Sequence, residues 1–258
     1  MKIIQLSTFA IFSVRVGEAT LFRGRNTNEP NCDDNSGLCS VNPRLNVTKL
    51  LQDFPTILDD DSMPKEIEIM CPILRLARRS GALPESMMDP HYSIPSIVSA
   101  LSDNFGFSLR TRALAFGVAT AMSSGQVATF STYPGFVNLD RLYNVLAGSH
   151  ASGFTFDGNS TTVSKEITQQ TMRALSQLED ADGHLTFEDL QVVKVYAAES
   201  RDVSVSRVSG FEAGFVWTFC GGDERGYVET SDVERFLNGQ LPLTVGQPSL
   251  KWWNPNDI

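Results

Sequence analysis

The segment from Met70 to Pro84 most constrains how this chain can fold, because it carries signals for both ends of one helix. Pro72 has a fixed φ and no amide hydrogen, so it suits the first helical position, with Cys71 before it as the N-cap. Gly81 can end the helix in a left-handed turn. The segment therefore predicts a short helix that begins beside a cysteine.

The predicted position of Cys71 favours an ionised thiol. Unpaired amide groups and the positive end of the helix dipole lower the pKa of a cysteine at a helix N-terminus, and Arg75, Arg78 and Arg79 add positive charge nearby. A thiolate is a good ligand for a metal or a haem iron. The alternative interpretation is that Cys71 is a small buried residue or one half of a disulfide.

Length and charge exclude several classes of protein. The 258 residues are 41% hydrophobic and 20% charged, which is enough for a sizeable globular core. The chain has 21 basic and 30 acidic residues, a net charge of −9, and no basic stripe interleaved with aromatic residues. We therefore expect no nucleic-acid partner and no stable membrane association.

Residues 1–19 resemble a secretory signal peptide. Lys2 supplies a positive charge, residues 3–14 are mostly apolar, and Gly17 and Ala19 are small residues where a signal peptidase could cut. The apolar run is too short to span a bilayer. The sequence predicts a secreted, extracellular protein that begins near Thr20, and the alternative is that this run forms a buried helix.

An oxidising compartment favours a disulfide between Cys32 and Cys39. The two cysteines lie close together in a polar segment that has little core-forming power, where a local disulfide stabilises most. Cys71 and Cys220 are left, and they could bond to each other.

Two glycosylation sequons occur in the sequence. They are Asn46-Val47-Thr48 and Asn159-Ser160-Thr161. A sequon has meaning only in a secreted protein, so the prediction of a glycoprotein depends on the signal peptide.

The pattern of apolar residues predicts an all-α, single-domain protein with at most a minor β hairpin. Residues 20–62 form an expected irregular lead-in segment, and residues 63–258 form the expected helical domain, since strand alternation is scarce. Apolar spacing predicts helices over Ser102–Ser123 and Val137–Leu146. Further predicted helix starts and stops are an N-cap at Ser164, capping boxes at Thr186–Asp189 and Ser231–Glu234, and a stop at Gly239.

Asp180–Leu185 has the rhythm of a calcium-binding loop. The twelfth position of such a loop would be Asp189 instead of a bidentate glutamate, and the first would be Leu178. We therefore predict a turn between helices with Gly183 in a left-handed conformation.

Several motifs occur in a fixed order between about residues 65 and 250, and together they resemble the fungal haem-thiolate peroxidases. This is the family of chloroperoxidase and the unspecific peroxygenases. The motifs are Cys71-Pro72-x-Leu74-x(8)-Leu83-Pro84, Phe156–Thr161, Gly210–Ala213, Val233–Leu237 and Leu241-Pro242.

The resemblance implies a helical bundle around a haem b pocket. It makes Cys71 the proximal ligand of the haem iron, and electron donation from sulfur favours cleavage of the oxygen–oxygen bond of hydrogen peroxide. Glu212 matches the family's distal acid–base group, in what the sequence presents as an apolar setting. Arg207 matches, at slightly shorter spacing, an arginine that orients the peroxide.

The resemblance also implies a Mg²⁺ or Mn²⁺ ion beside a haem propionate. The matching ligands are Asp157, the carbonyl of Gly158 and Thr161, which all offer oxygen donors to a hard cation. Asp157 is one methylene shorter than the family's glutamate, and Asn159 replaces an aspartate and opens a sequon. These departures put the metal site in question.

Two functions follow from these observations. The first is a secreted haem-thiolate peroxidase or peroxygenase that uses hydrogen peroxide to oxidise, oxygenate or halogenate small organic substrates. The second is a peroxidase-like secreted binding or effector protein that has lost peroxide chemistry. In the first, the expected walls of the substrate pocket are Phe105, Phe107, Phe116, Phe130, Phe136, Phe154, Phe156, Phe211 and Phe215.

Overall fold

A computed structural model describes part of the chain and shows a helix-rich protein. The described ranges are 30–58, 69–108, 135–139, 151–157, 162–205 and 207–248. The predicted signal peptide, the sequon at Asn159 and the metal ligands Gly158 and Thr161 lie outside these ranges. Within them, every helix is too short or too polar to span a bilayer.

The helices lie mainly in the second half of the chain, and the strands are only two or three residues long. The α-helices are α1 (Val47–Asp53), α2 (Pro72–Arg79), α3 (Ile94–Ser99), α4 (Lys165–Leu175), α5 (Phe187–Ser200), α6 (Arg207–Phe219), α7 (Gly222–Arg225) and α8 (Thr230–Leu237), with a π-helix over Ala100–Asn104. The strands are β1 (Asn31–Cys32), β2 (Cys39–Ser40), β3 (His91–Ser93), β4 (Phe136–Asn138), β5 (His184–Leu185), β6 (Val228–Glu229) and β7 (Thr244–Val245).

The predicted helical class is confirmed in outline, but the expectation of at most one β hairpin is wrong. The short strands form three sheets: β1-β2-β7, β3-β4 and β5-β6. Strand β2 pairs in parallel with β7 near the end of the described chain, whereas the other pairs are antiparallel. Most of these pairings join segments far apart in sequence, which is why alternation over a few residues did not predict them.

The predicted helix around Cys71 is confirmed. Helix α2 has Cys71 as its N-cap, Pro72 at its first position and Gly81 beyond its end, with a φ of +81°. The predicted caps of two other helices are also confirmed. The Ser164 hydroxyl accepts a hydrogen bond at the start of α4, and Thr186 and Asp189 form a reciprocal capping box on α5.

The predicted capping box at Ser231 is wrong. Helix α8 begins at Thr230, directly after strand β6, so Ser231 lies inside its first turn. The Thr230 amide and hydroxyl both donate to the Gly183 carbonyl, at 3.0 and 3.2 Å, which fixes this earlier start. The predicted stop is confirmed, because Gly239 has a φ of +74°.

Two predicted helix boundaries differ from the structure. The π-helix ends at Asn104 and Gly106 has a φ of +64°, so no single helix runs from Ser102 onward. Phe136–Asn138 is strand β4, so the predicted start at Val137 is wrong. The remainder of both predicted helices lies outside the described residues.

Helix α6 lies in the centre of the core and packs most extensively against α5. Its residues Ala213, Val216 and Phe219 are fully buried. The Phe219 ring contacts Phe105 and Phe236, with centroid distances of 6.2 and 4.9 Å. Aromatic pairs of this kind add stabilisation beyond the apolar area that they bury.

The predicted irregular lead-in segment contains regular structure and joins the same core. Cys32 and Cys39 form the predicted disulfide, across the β1-β2 pair. Leu38, Val47 and Leu50 are buried in the core cluster. The lead-in is therefore ordered between residues 30 and 58, because the disulfide, the pairing with β7 and apolar burial all fix it.

A buried carboxylate fixes the segment that leads into β7. Asp232 in α8 is 1% exposed and accepts hydrogen bonds from the amides of Leu243 and Thr244, at 2.6 and 3.1 Å. Arg225 lies 3.6 Å from the same carboxylate. Burial outweighs these favourable contacts and raises the pKa of Asp232 to about 6.

The raised pKa predicts a pH-dependent stability that an Asp232→Asn variant removes. Between about pH 4 and pH 6 Asp232 binds a proton in the folded state but not in the unfolded state, so its contribution to wild-type stability falls as pH rises through this range. We expect the difference between wild type and D232N to change by up to about 3 kcal/mol, since one pKa unit corresponds to about 1.4 kcal/mol. Urea unfolding of both proteins from pH 4 to 7 measures this difference, and parallel profiles would contradict the assignment.

Candidate functional site

Cys71 is a free, half-buried cysteine, as a ligand of a metal would have to be. Neither Cys71 nor Cys220 forms a disulfide, so the alternative pairing of these two cysteines is wrong. The prediction of an ionised thiol is also wrong for the protein as it stands. Burial raises the pKa of Cys71, and the opposing effects of the Leu74 and Ile73 amides and of the Arg75 charge are smaller.

A raised pKa is compatible with metal ligation. A thiol that coordinates a metal ion releases its proton to solvent, since the ion's own charge dominates the local electrostatics.

The predicted apolar setting of Glu212 is wrong, because a buried ion pair is formed there. Lys194 in α5 donates a hydrogen bond to Glu212 Oε2 in α6, and the two side chains are 2% and 13% exposed. The Phe154 amide also donates to this carboxylate, at 3.3 Å to Oε2. Glu212 therefore joins two helices to the segment 151–157.

Lys194 makes further contacts with the same segment. Its Nζ atom donates to the Ser152 carbonyl at 3.3 Å and lies 3.8 Å from the centre of the Phe154 ring. Burial lowers the pKa of Lys194, and the charge and hydrogen bond of Glu212 act in the opposite direction. The ammonium group is thus stabilised by one carboxylate, one carbonyl and one aromatic face.

Arg201, at the end of α5, holds the segment 151–157 by its backbone. Its Nη1 atom donates to the carbonyls of Ala151, Gly153 and Phe156, at 3.0, 3.0 and 3.2 Å. Burial lowers the pKa of Arg201, while the negative charges of Asp157 and Glu212 oppose this effect. The segment that carries the predicted metal ligand Asp157 is therefore anchored to an arginine.

Arg75 and Arg79, which follow Cys71 in the sequence, contact the C-terminal end of α8 and not the segment 151–157. Arg75 Nη2 donates to the Leu237 carbonyl at 2.5 Å, and Arg79 Nη1 donates to the carbonyls of Asn238 and Gly239, at 3.4 and 3.2 Å. These acceptors lie at the C-terminal end of α8, where carbonyl groups lack helical partners and the dipole is negative. The two arginines therefore attach α2 to α8.

The structure brings some of the predicted site residues together. Cys71, Arg75 and Glu212 are close enough for their charges to influence one another, and Asp157 and Glu212 both act on Arg201. Arg207 is the first residue of α6, and its side chain lies outside the described part of the structure. Gly158 and Thr161 do so as well, so the predicted metal ligands are described only at Asp157.

Sequence reasoning missed Lys194 and Arg201. Both follow the buried face of α5, on which Leu190, Val193 and Ala197 lie. A lysine and an arginine at helical spacing on an apolar face are a signal for buried charge, because such residues are almost never fully buried without a partner.

Several phenylalanine rings that were expected to line the substrate pocket pack against other rings of the core. Phe105 contacts Phe219, and Phe107 contacts Phe215 at a centroid distance of 5.8 Å. Phe154 and Phe156 are buried, and Phe116 and Phe130 lie outside the described residues. Phe105 and Phe107 thus fill the core with their rings, so their part in a substrate pocket stays a prediction.

The predicted turn at Asp180–Leu185 is confirmed. Asp180 Oδ1 accepts hydrogen bonds from the amides of Asp182 and His184, both at 2.9 Å, and Gly183 has a φ of +79°. Asp180, Asp182 and His184 also place three possible metal-ligand atoms within 4.8 Å of one another. The backbone bonds give this exposed group a structural role as a turn.

No protein-family model matches the sequence, and neither a characterised protein nor a solved structure shows significant similarity to it. The resemblance to the haem-thiolate peroxidases therefore rests on the ordered motifs alone and stays a prediction.

The ion pair of Lys194 and Glu212 predicts strongly non-additive effects on stability. We expect Lys194→Met and Glu212→Leu each to lower the free energy of unfolding by about 3–5 kcal/mol, because each removes the direct ion-pair partner of a charge that is largely out of solvent. The double variant should lose at least about 1 kcal/mol less than the sum, since it buries no lone charge. Chemical denaturation of all four proteins measures these values.

The exposed pair of Lys49 and Asp53 is the matched control, with side chains 68% and 42% exposed. We expect Lys49→Met to cost less than about 1 kcal/mol. Additive effects at Lys194 and Glu212 would show that the two residues do not act as a pair.

Proposed function

We propose that this chain is a secreted haem-thiolate protein in which the Cys71 sulfur binds the haem iron. We further propose that it uses hydrogen peroxide to oxidise, oxygenate or halogenate small organic substrates. The observation that carries the proposal is the state of Cys71, a free and half-buried cysteine at the start of α2 whose charge environment includes Glu212. The order of motifs in the sequence supports it.

Two features around Cys71 support the binding of a haem. A thiol is the donor that the proposed iron ligand requires, and Cys71 is not committed to a disulfide. Arg75, one helical turn later, is fully buried, and its Nε and Nη1 atoms have no hydrogen-bond partner. A buried guanidinium favours an anionic ligand nearby through its charge. When bound through a thiolate, haem supplies the cleavage of the peroxide oxygen–oxygen bond.

Glu212 is the residue that we assign to proton transfer. Lys194 and the Phe154 amide hold its carboxylate in a fixed orientation. A general acid–base group must take a proton from one oxygen atom of peroxide and return it to the other, which requires a positioned carboxylate. Lys194 thus acts as a positioning residue for Glu212 in this proposal.

The predicted Mg²⁺ or Mn²⁺ site receives little support from the described residues. The negative charge of Asp157 acts on Arg201, and a guanidinium beside a carboxylate opposes the binding of a second cation there. The site therefore stays a prediction that depends on Gly158 and Thr161.

Secretion is likewise part of the proposal. A disulfide such as Cys32–Cys39 forms and persists in oxidising compartments, which agrees with export. The sequon residue Asn46 is exposed at the start of α1, and its Oδ1 atom accepts a hydrogen bond from the Lys49 amide. An amide that uses its oxygen in this way leaves its nitrogen for a glycan.

A second candidate function has its own supporting observation. The carboxylate of Glu212 pairs with Lys194 and ties the segment 151–157 to α5 and α6, which is a structural role. A protein that keeps Glu212 for this purpose alone would be a peroxidase-like secreted binding or effector protein without peroxide chemistry.

An absorption spectrum of the purified protein tests haem ligation. We expect the reduced protein under carbon monoxide to show the Soret shift of a thiolate-ligated haem, because Cys71 replaces its proton with iron. Cys71→Ala should abolish the shift. Cys220→Ala is the matched control, since Cys220 is also free but fully buried, and this variant should keep the shift.

A protein that takes up no haem would overturn the proposed function. If haem binds, Glu212→Gln separates the two candidate functions. Slower peroxide cleavage with an intact spectrum supports the peroxidase, whereas unchanged cleavage removes Glu212 from the mechanism.

A further inference from the structure

Positively charged side chains satisfy most of the backbone carbonyl groups of the segment 151–157. Lys194 in α5 and Arg201 at its end donate hydrogen bonds to four of these carbonyls. The four are the carbonyls of Ala151, Ser152, Gly153 and Phe156. The segment forms neither helix nor strand, so cations do here what backbone amides do in regular structure.

One nitrogen atom of Arg201 lies where three carbonyls converge. Its Nη1 atom is 3.0, 3.0 and 3.2 Å from the oxygen atoms of Ala151, Gly153 and Phe156. The Nη1 of a guanidinium carries two hydrogen atoms, so two of the carbonyls share one hydrogen in a three-centre bond. Since the acceptors outnumber the hydrogen atoms, the carbonyls respond to the positive charge as well as to directional hydrogen bonding.

The charges around Arg201 also favour a cation at this position. Burial lowers the pKa of Arg201, and the negative charges of Asp157 and Glu212 oppose this effect. Arg201 follows the last residue of α5, where the negative end of the helix dipole lies. Carbonyl and carboxylate oxygens are the donors with which proteins hold hard cations. The segment therefore has the composition of a cation site, and the guanidinium occupies it.

The spacing of the three carbonyls suits a guanidinium and not a magnesium ion. Mg²⁺ requires oxygen atoms at about 2.0–2.1 Å, so an ion at the position of Nη1 would need each carbonyl to move inward by about 1 Å. Other contacts oppose this movement. The Phe154 amide donates to Glu212, and the Phe154 carbonyl accepts a hydrogen bond from Thr171 Oγ1 at 2.8 Å.

We propose that the segment 151–157 is a cation-binding loop whose resident cation is the Arg201 guanidinium, in place of the Mg²⁺ or Mn²⁺ ion that the resemblance implies. The loop holds the Phe154 amide against the Glu212 carboxylate, so Arg201 is also a positioning residue for Glu212. The contacts that define the loop involve neither Cys71 nor a haem. The loop is therefore independent of the proposed function.

Free guanidinium tests the site in an Arg201→Ala variant. We expect guanidinium chloride at about 20 mM to raise the melting temperature of this variant by about 2 °C or more, because an ion that binds only the folded state stabilises it. The denaturing effect of guanidinium is proportional to its concentration and is small in this range. Urea has nearly the same planar shape but no charge, so neither urea nor sodium chloride at the same concentration should give this rise.

Arg235→Ala is the matched control for the rescue. The Arg235 side chain is also partly buried, and its Nε atom donates to a single carbonyl, that of Leu241, at 2.8 Å. Guanidinium should change the melting temperature of this variant no more than that of wild type, because one carbonyl does not form a cation site. No rise in Arg201→Ala, or an equal rise in Arg235→Ala or with urea, overturns the proposal.

Two milder variants separate charge from hydrogen bonding if Arg201→Ala does not fold. Arg201→Lys keeps a positive charge and offers three hydrogen atoms, whereas Arg201→Gln offers hydrogen atoms without a charge. We expect the lysine variant to melt at least about 4 °C above the glutamine variant. Equal melting temperatures would show that the loop does not need a cation.

Wild-type protein tests whether the guanidinium takes the place of a metal ion. We expect MgCl₂ or MnCl₂ at about 1 mM, compared with EDTA at the same ionic strength, to change the melting temperature by less than about 1 °C, since the cation site is already occupied. A rise of several degrees would show that a divalent ion binds while Arg201 is present, and would overturn the replacement of the metal ion by Arg201.

Discussion

A lysine as deeply buried as Lys194 needs a partner for its charge, and the carboxylate of Glu212 supplies it. This ion pair joins α5 to α6, and the Phe154 amide joins the segment 151–157 to the same carboxylate. Helix α6 also supplies buried aromatic rings to the core. The polar contacts that hold the segment 151–157 are therefore attached to a helix that apolar packing fixes in place. Removing either charge would take from the other its direct ion-pair partner.

Different interactions hold the two sides of the candidate site in place. On one side, α2 presents Cys71 at its start and uses Arg75 and Arg79 to bind the carbonyl end of α8. On the other side, Glu212 is fixed by an ion pair. Burial raises the pKa of the Cys71 thiol and lowers the pKa of the Lys194 ammonium.

Local signals in the sequence predicted the elements that depend on local interactions. The start and end of α2, the capping box of α5 and the Cys32–Cys39 disulfide each depend on residues that are close in sequence. The sheets, by contrast, pair two- and three-residue strands from distant segments.

The features that sequence reasoning missed depend on tertiary contacts. Helix α8 starts at Thr230 because of a hydrogen bond to Gly183, which no local pattern encodes. The state of Cys71 was mispredicted for a similar reason, since the helix terminus was apparent from the sequence but the degree of burial was not. Lys194 was missed as the partner of Glu212, because two helices must pack before the pair exists.

We propose that the sulfur of Cys71 binds the iron of a haem. X-ray absorption at the iron edge of the haem-loaded protein tests this bond most directly, because it detects the atoms bound to iron whatever the activity of the protein. We expect one sulfur ligand in wild type and in Cys220→Ala, and none in Cys71→Ala. An iron bound only by nitrogen and oxygen in the wild-type protein would contradict it.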